Sequence, residues 1–432
     1  MKKRDLYYER IPTKLLREDF RLLGTFLGRD IKDQEGLAFF KIVEKFRVLS
    51  KNTLSDQNKR KVLSRISKEV KKLTPENTFK LSRAFSHILN LLNLVESLDA
   101  SRKLNEYENP YFKSKNQNLF IEDIIEGLFK NKKISDKNIY EQAKKLDIGI
   151  VLTAHPTEVK RRTLIQKYAN LIYIMEQRHL YKKYPSKIIE LDRQLYSEIA
   201  IIWKTDELKR TKPSPLDEAR WGLAVIEDSL WDTIPKVYKR LNDIFRKNLK
   251  KDLPRDFNPI QFGSWMGGDR DGNPNVTAEV TKKVILFSRW QAAKLYEKEL
   301  TKLIQDLSME ECSAKIKKAT GNSFEPYRVY LRPIRDKVRL THQLIENHLN
   351  NNSNLNEKKL IQNKHEITIP LREVRNSLKL NKGDHIANAD LLDLMRRVRC
   401  FGINLASCLL YTSPKPTRRR GISYAVFCLK KK

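Results

Sequence analysis

The chain has 432 residues, 40% of them apolar and 32% charged, which is enough apolar material for a sizeable core and excludes wholesale disorder. With only 14 glycines and 16 prolines, an all-β chain of many tight turns is excluded as well, and a helix-rich protein is expected. The 86 Lys and Arg against 53 acids give a net charge of +33. That charge is compatible with nucleic acid, an anionic membrane or small anionic substrates, but it is spread along many segments, as on a solvated lysine-rich surface.

The N-terminal MKKRDLYYERIP is basic and leads into no apolar run, so it does not read as a signal peptide. Val62, Ile66, Val70 and Leu73 form one helical stripe, and Leu81, Phe85, Ile88, Leu92 and Val95 form the next. Between them Thr74-Pro75-Glu76 reads as a cap followed by Pro at the first helical position. His87 lies beside the second stripe and reads as a core or surface histidine rather than a ligand. Asp147–Ala154 (DIGIVLTA) is short, β-branched and apolar, the pattern of a buried strand. His155-Pro156-Thr157-Glu158 follows at once, then a basic helical run, so a strand-to-helix turn is expected there.

The next helix ends near Lys209-Arg210 and carries Trp203, expected to be buried. Asp206 and Glu207 are sequence neighbours and cannot share a face, so they read as polar surface rather than a catalytic dyad. Lys212-Pro213-Ser214-Pro215 breaks the chain, and Asp217-Glu218 open a further helix with acids in its first turn. That helix carries Trp221, Trp231, Ile234, Tyr238, Leu241 and Phe245, with Pro235 expected to kink it. Residues 261–277 (QFGSWMGGDRDGNPNVT) are the glycine-dense segment; helix resumes from Ala278 to about Leu307 and again over Asn388–Cys400, with Asn347–Asn356 expected as a surface loop. Cys312, Cys400, Cys408 and Cys428 form no CxxC pair, and no HExxH occurs, which argues against structural zinc, a redox dithiol or a disulfide framework. No stretch approaches 18 uncharged apolar residues, so no membrane partner is expected, and the location expected is the cytoplasm.

Two segments could carry chemistry. His155 stands at the end of a predicted strand, where α/β folds place their sites, and Lys160, Arg161 and Arg162 follow one turn on. An imidazole beside two guanidiniums suits an oxyanion or a phosphorylated substrate; a structural histidine beside a solvated basic helix fits the same spacing. In the glycine segment Asp269, Arg270 and Asp271 put alternating charge into a bend permitted by Gly267, Gly268 and Gly272. The pattern is neither a phosphate-binding P-loop, nor a dinucleotide fingerprint, nor an EF-hand. It reads equally as a functional loop or as a capped turn in which Arg270 is held by a neighbouring aspartate.

Taken together these segments resemble the phosphoenolpyruvate carboxylase family. VLTAHPTEVKRR (Val151–Arg162) is similar to its N-terminal active-site signature. TDELKRTKPSPLDEARWG (Thr205–Gly222) and FGSWMGGDRDGNPNVTA (Phe262–Ala278) resemble its next two marked segments, in order. RLLGTFLGRDI, SRAFSHILNLLNLVE and ANADLLDLMRRVRCFG extend the similarity over residues 15–406. The resemblance implies a mainly α fold, the helix-rich N-terminal half of an α/β-barrel (TIM-like) enzyme, with the barrel incomplete in this chain. It implies a lyase that joins bicarbonate to phosphoenolpyruvate, giving oxaloacetate and phosphate, with Mg²⁺ or Mn²⁺ and usually as a homotetramer. Bicarbonate attacks phosphorus to form carboxyphosphate and an enolate, and CO₂ released from carboxyphosphate then carboxylates the enolate. On this resemblance His155 is the catalytic residue that helps remove the carboxyphosphate proton. Arg161 and Arg162 bind an anion, and Trp265 is linked to bicarbonate. Arg270, in the same loop, joins them as a candidate anion-binding residue. No metal ligand is expected in this chain, because the family's metal carboxylates, catalytic lysine and mobile loop lie in a second half for which these 432 residues have no counterpart.

The expected organisation is therefore a family-like domain over 1–406 and a basic, non-family tail over 407–432, either disordered or the product of a truncated or misread coding end. Alternatives are a non-catalytic remnant pairing with full-length subunits and a basic helical nucleic-acid binder, although nucleic acid is not the expected partner.

Overall fold

The computed structural model describes residues 14–51, 59–107, 121–131, 133–153, 161–207, 213–254, 256–270, 273–351 and 353–410. In chain order the elements are α1 (Lys14–Lys51), α2 (Lys59–Val70), α3 (Pro75–Tyr107), α4 (Ile121–Lys130), α5 (Asp136–Lys144), β1 (Ile148–Leu152), α6 (Arg162–Leu180), α7 (Pro185–Lys204), α8 (Pro215–Val225), α9 (Trp231–Leu249), β2 (Ile260–Ser264), α10 (Ala278–Asp306), α11 (Ala314–Thr320), α12 (Pro326–Asn351), α13 (His365–Leu380), α14 (Asp384–Ala387), α15 (Asp390–Phe401) and β3 (Ser407–Cys408). The mainly helical expectation holds, with one small parallel sheet. The chain divides into two units, residues 1–115 with 160–210, and residues 116–159 with 211–432.

In the first unit α2, α3 and α7 pack on α1, and α6 packs on α7. α1 is broken at Gly36, whose φ of 86° leaves the helical region. Leu23, Leu27, Ile31, Leu98, Leu195 and Trp203 fill the core. Thr74 caps α3 as expected, its Oγ1 accepting from Asn77 N at 3.2 Å. The buried line of α3 differs from the predicted stripe. It runs through Leu81, Ala84, His87, Leu91, Val95 and Leu98, whereas Phe85, Ile88 and Leu92 are only half-buried. His87 is therefore in the middle of the packed face, not beside it, because α3 is covered over a wider arc than one apolar stripe.

The second unit is built on the sheet β1-β2-β3, all parallel, with register from Ile148↔Ile260 to Leu152↔Ser264 and then Gly263↔Ser407 and Ser264↔Cys408. Parallel neighbours need long crossovers, and helices supply them. The expected burial of the first strand needs correction: Ile148, Gly149 and Ile150 are exposed, because β1 is an edge of the sheet among the described residues. The Asn-rich stretch needs correction too, since α12 continues to Asn351 before the chain turns. The boundary expected after residue 406 falls immediately before β3, and Ser407 and Cys408 extend the sheet. Residues 411–432 of the predicted tail lie outside the described residues.

The central strand is anchored by aromatic stacking. Trp231 stacks on Phe401 at 5.3 Å and Phe401 on Phe262 of β2 at 5.3 Å, while Tyr296 donates to Gly402 O at 2.6 Å. Cys400 Sγ donates to Ile260 O at 3.4 Å, and burial pushes its thiol up to about 12. A helix starts at Pro215, as the break in the sequence predicted, and the structure adds a capping box between Ser214 and Asp217. Pro235 follows a π-turn at Ile226–Leu230. Lacking an N–H, it leaves Trp231 O without its helical donor, and Arg397 Nε donates there instead at 2.9 Å.

Candidate functional site

The strand ends place the glycine segment. β2 ends at Ser264, and the chain turns at once: Trp265 N donates to Leu152 O, at the end of β1, at 3.1 Å, while Gly268 N and Asp269 N both donate back to Trp265 O at 3.0 and 2.9 Å. Gly267 has φ of 72°, and a Cβ there would meet Val284 at 2.5 Å; a Cβ on Gly268 would meet Leu409 O at 2.5 Å. Only glycine fits both positions, so the turn is pressed against α10 on one side and the β3 strand on the other. Thr281 Oγ1 donates to Gly267 O at 2.7 Å, and Thr277 caps α10 through Val280 N at 3.2 Å. A cavity of ≈ 280 Å³ lies at these C-terminal strand ends, with Leu223, Ser264, Met266, Ser288 and Cys408 among its lining residues. This is the edge of a parallel sheet where ligands bind in α/β folds.

Of the predicted site residues, Trp265 is half-buried in this turn and Arg270 is exposed just beyond it. His155 lies outside the described residues, which resume at Arg161. Arg162 is the first residue of α6. Arg161 precedes it as the N-cap, and its Nη2 is 3.9 Å from Asp206 Oδ2. Arg161 and Arg162 thus belong to one unit, Trp265 and Arg270 to the other. Among the described residues no three His, Cys, Asp or Glu side chains converge as a metal's ligands would. Among the described residues no helix is long and apolar enough to cross a membrane.

Sequence reasoning placed Asp206 and Glu207 on different faces, and they do diverge: Asp206 approaches Arg161, while Glu207 Oε1 sits 3.2 Å from His87 Nδ1. The His87–Glu207 pair was not legible, because more than a hundred residues separate its members and neither has a local motif. Burial pushes the His87 pKa below its usual 6.5, and Arg83 pushes the same way, against the smaller opposing pull of Glu207. Burial also pushes the Tyr168 phenol up in the same cluster. The folded chain therefore keeps His87 neutral in a range where the unfolded chain takes up a proton. The associated stability is present above about pH 6.5 and is lost as pH falls below it toward the lowered folded value. Denaturant unfolding at pH 7.5 and 5.5 checks this: the chain is expected to weaken at the lower pH, and H87Q to remove part of that slope. An H87Q slope equal to that of the unmodified chain would contradict it.

The family model described as phosphoenolpyruvate carboxylase matches residues 16–409. The phosphoenolpyruvate carboxylase of Acinetobacter baumannii is 40% identical over 395 residues, covering 90% of this chain and 43% of the relative. That of Haemophilus influenzae is 36% identical over 395 residues, covering 90% of this chain and 44% of the relative. The chain spans less than half the length of these curated relatives.

Proposed function

Because the chain belongs to the phosphoenolpyruvate carboxylase family, we propose that its residues serve, within a complete enzyme, the carboxylation of phosphoenolpyruvate by bicarbonate to oxaloacetate and phosphate. The observation that carries this reading is the hydrogen bond from Trp265 N to Leu152 O. It brings the glycine turn to the end of the strand from which the His155 segment departs.

In this reading a bicarbonate oxygen attacks the phosphorus of phosphoenolpyruvate, the bridging C–O–P bond breaks, and carboxyphosphate and the enolate of pyruvate form. His155 accepts the carboxyphosphate proton, CO₂ and phosphate separate, and the enolate carbon takes up the CO₂. Arg161, Arg162 and Arg270 supply cationic donors for anions, and Trp265 helps shape the bicarbonate side. Both intermediates are lost to water, so the site must be enclosed as well as cationic. The reading includes a divalent ion, Mg²⁺ or Mn²⁺, with ligands outside the described residues, together with a homotetramer and a cytoplasmic location.

The test is a chimera of residues 1–406 with the unmatched C-terminal part of the A. baumannii relative. His155→Asn in that chimera is expected to lower oxaloacetate formation by about 10²-fold or more, read by trapping oxaloacetate with NADH and malate dehydrogenase. Unchanged turnover would remove His155 from the chemistry.

A further inference from the structure

We propose that Glu207 is a positioning residue for Arg161, acting through the turn at the end of α7; the anion-binding part of the proposal rests on the reading of Arg161 given above. The structural argument begins on α3. Arg83, Ser86, His87 and Asn90 stand at i, i+3, i+4 and i+7, a spacing that puts them along one helical face. All four meet the segment 203–207. Arg83 donates to Trp203 O and, at 3.0 Å, to Thr205 O, while its guanidinium lies 5.2 Å from the Trp203 ring centre. These are carbonyls at the C-terminus of α7, where a helix lacks its own donors and favours positive charge. Ser86 Oγ donates to Glu207 Oε2 at 2.9 Å, Asn90 Nδ2 reaches Oε1 at 3.5 Å, and the fully buried His87 packs its Nδ1 3.2 Å from Oε1.

The grip is completed from α1, where Glu35 accepts from Trp203 Nε1 at 3.3 Å and is itself paired with Lys80 of α3 at 2.8 Å. The segment 203–207 is thus held from two helices, its backbone carbonyls by Arg83 and its Trp203 and Glu207 side chains by Glu35, Ser86 and Asn90. Asp206, the residue between the gripped Thr205 and Glu207, is turned the other way, toward Arg161 at the start of α6. At 3.9 Å, with both side chains more than a third exposed, that ion pair by itself is too weak to fix either partner. On a fixed backbone the Asp206 carboxylate contributes to orienting the Arg161 guanidinium. Glu207, chemically uninvolved in any anion, would then set where an anion-binding arginine points.

The experiment uses the full chain labelled with ¹⁵N-arginine, with the Arg161 Nε–H resonance assigned by its loss in R161K. Asp206→Asn calibrates the shift caused by losing the ion pair. E207A is expected to move the resonance in the same direction and by a comparable amount, and E207Q, which keeps a hydrogen-bonding oxygen for Ser86, to restore most of it. If E207A does not fold, Ser86→Ala, which removes one of the bonds to that carboxylate, is expected to give a smaller shift of the same sign. An Arg161 resonance unmoved in every folded variant, with only lowered unfolding midpoints, overturns the proposal and leaves Glu207 purely structural.

Titration with inorganic phosphate separates the two readings. The Arg161 resonance of the unmodified chain is expected to respond, with affinity about tenfold weaker in E207A. A resonance indifferent to phosphate in the unmodified chain overturns the anion-binding role of Arg161, and the positioning claim is then decided by the E207A shift alone.

Discussion

Purified alone, the 432-residue chain is expected to form no oxaloacetate from phosphoenolpyruvate and bicarbonate, whatever divalent ion is supplied. The sheet at the candidate site has three strands among the described residues, and both outer strands are edges. Parallel sheets are stable when both faces are covered and their edges are paired or shielded. Here β1 leaves Ile148 45% and Ile150 39% exposed, so the edge strand that leads toward the His155 segment meets water instead of protein. A reaction that passes through an enolate and carboxyphosphate needs the reverse. The same exposed residues are expected to make the chain self-associate, which light scattering would show. Bicarbonate-dependent oxaloacetate release by the isolated chain would refute the expectation. Its appearance only in the chimera, or only after mixing with an intact relative, would separate a chain that needs completing from a remnant that joins full-length subunits.

The second large effect is on stability. Trp231→Ala is expected to destabilise the second unit by about 3–5 kcal/mol, the range for losing a large buried aromatic. Trp231 is 4% exposed, stacks on Phe401 and packs against Tyr296 at 5.2 Å. Its indole Nε1 donates to Glu299 at 3.1 Å, and Arg397 lies 5.4 Å from its ring centre. Removing it leaves a void and an unpaired Glu299 oxygen, and it unseats Phe401, which backs Phe262 of β2. Chemical denaturation followed by tryptophan fluorescence checks the magnitude. Trp231→Phe, which keeps the stacking surface but loses the hydrogen bond and the cation–π contact, should cost distinctly less. Equal costs for the two variants would show that stacking contributes little.

Helices were legible wherever one face alternates clearly with a polar one and a local signal marks the start: Thr74-Pro75 before α3 and the Pro213-Ser214-Pro215 break before α8 are such signals, and helix does resume at Ala278. The first strand was legible from its β-branched run, but its exposure was not, because burial depends on what lies beside the strand in space. The helix ending at Asn351 ran past its predicted stop, since Asn lowers helix propensity without forbidding helix.

The candidate site divides in the same way. Two short segments, around His155 and around Gly267-Gly268, resemble the family's marked segments closely enough that family membership was legible from the amino acids alone. That Trp265 hangs from the end of β1, that Arg270 is exposed, and that a buried histidine of α3 approaches the carboxylate next to Asp206 depended on tertiary packing. Such contacts join residues far apart in the chain, and nothing in the local sequence encodes which distant helix face or strand end a side chain will meet.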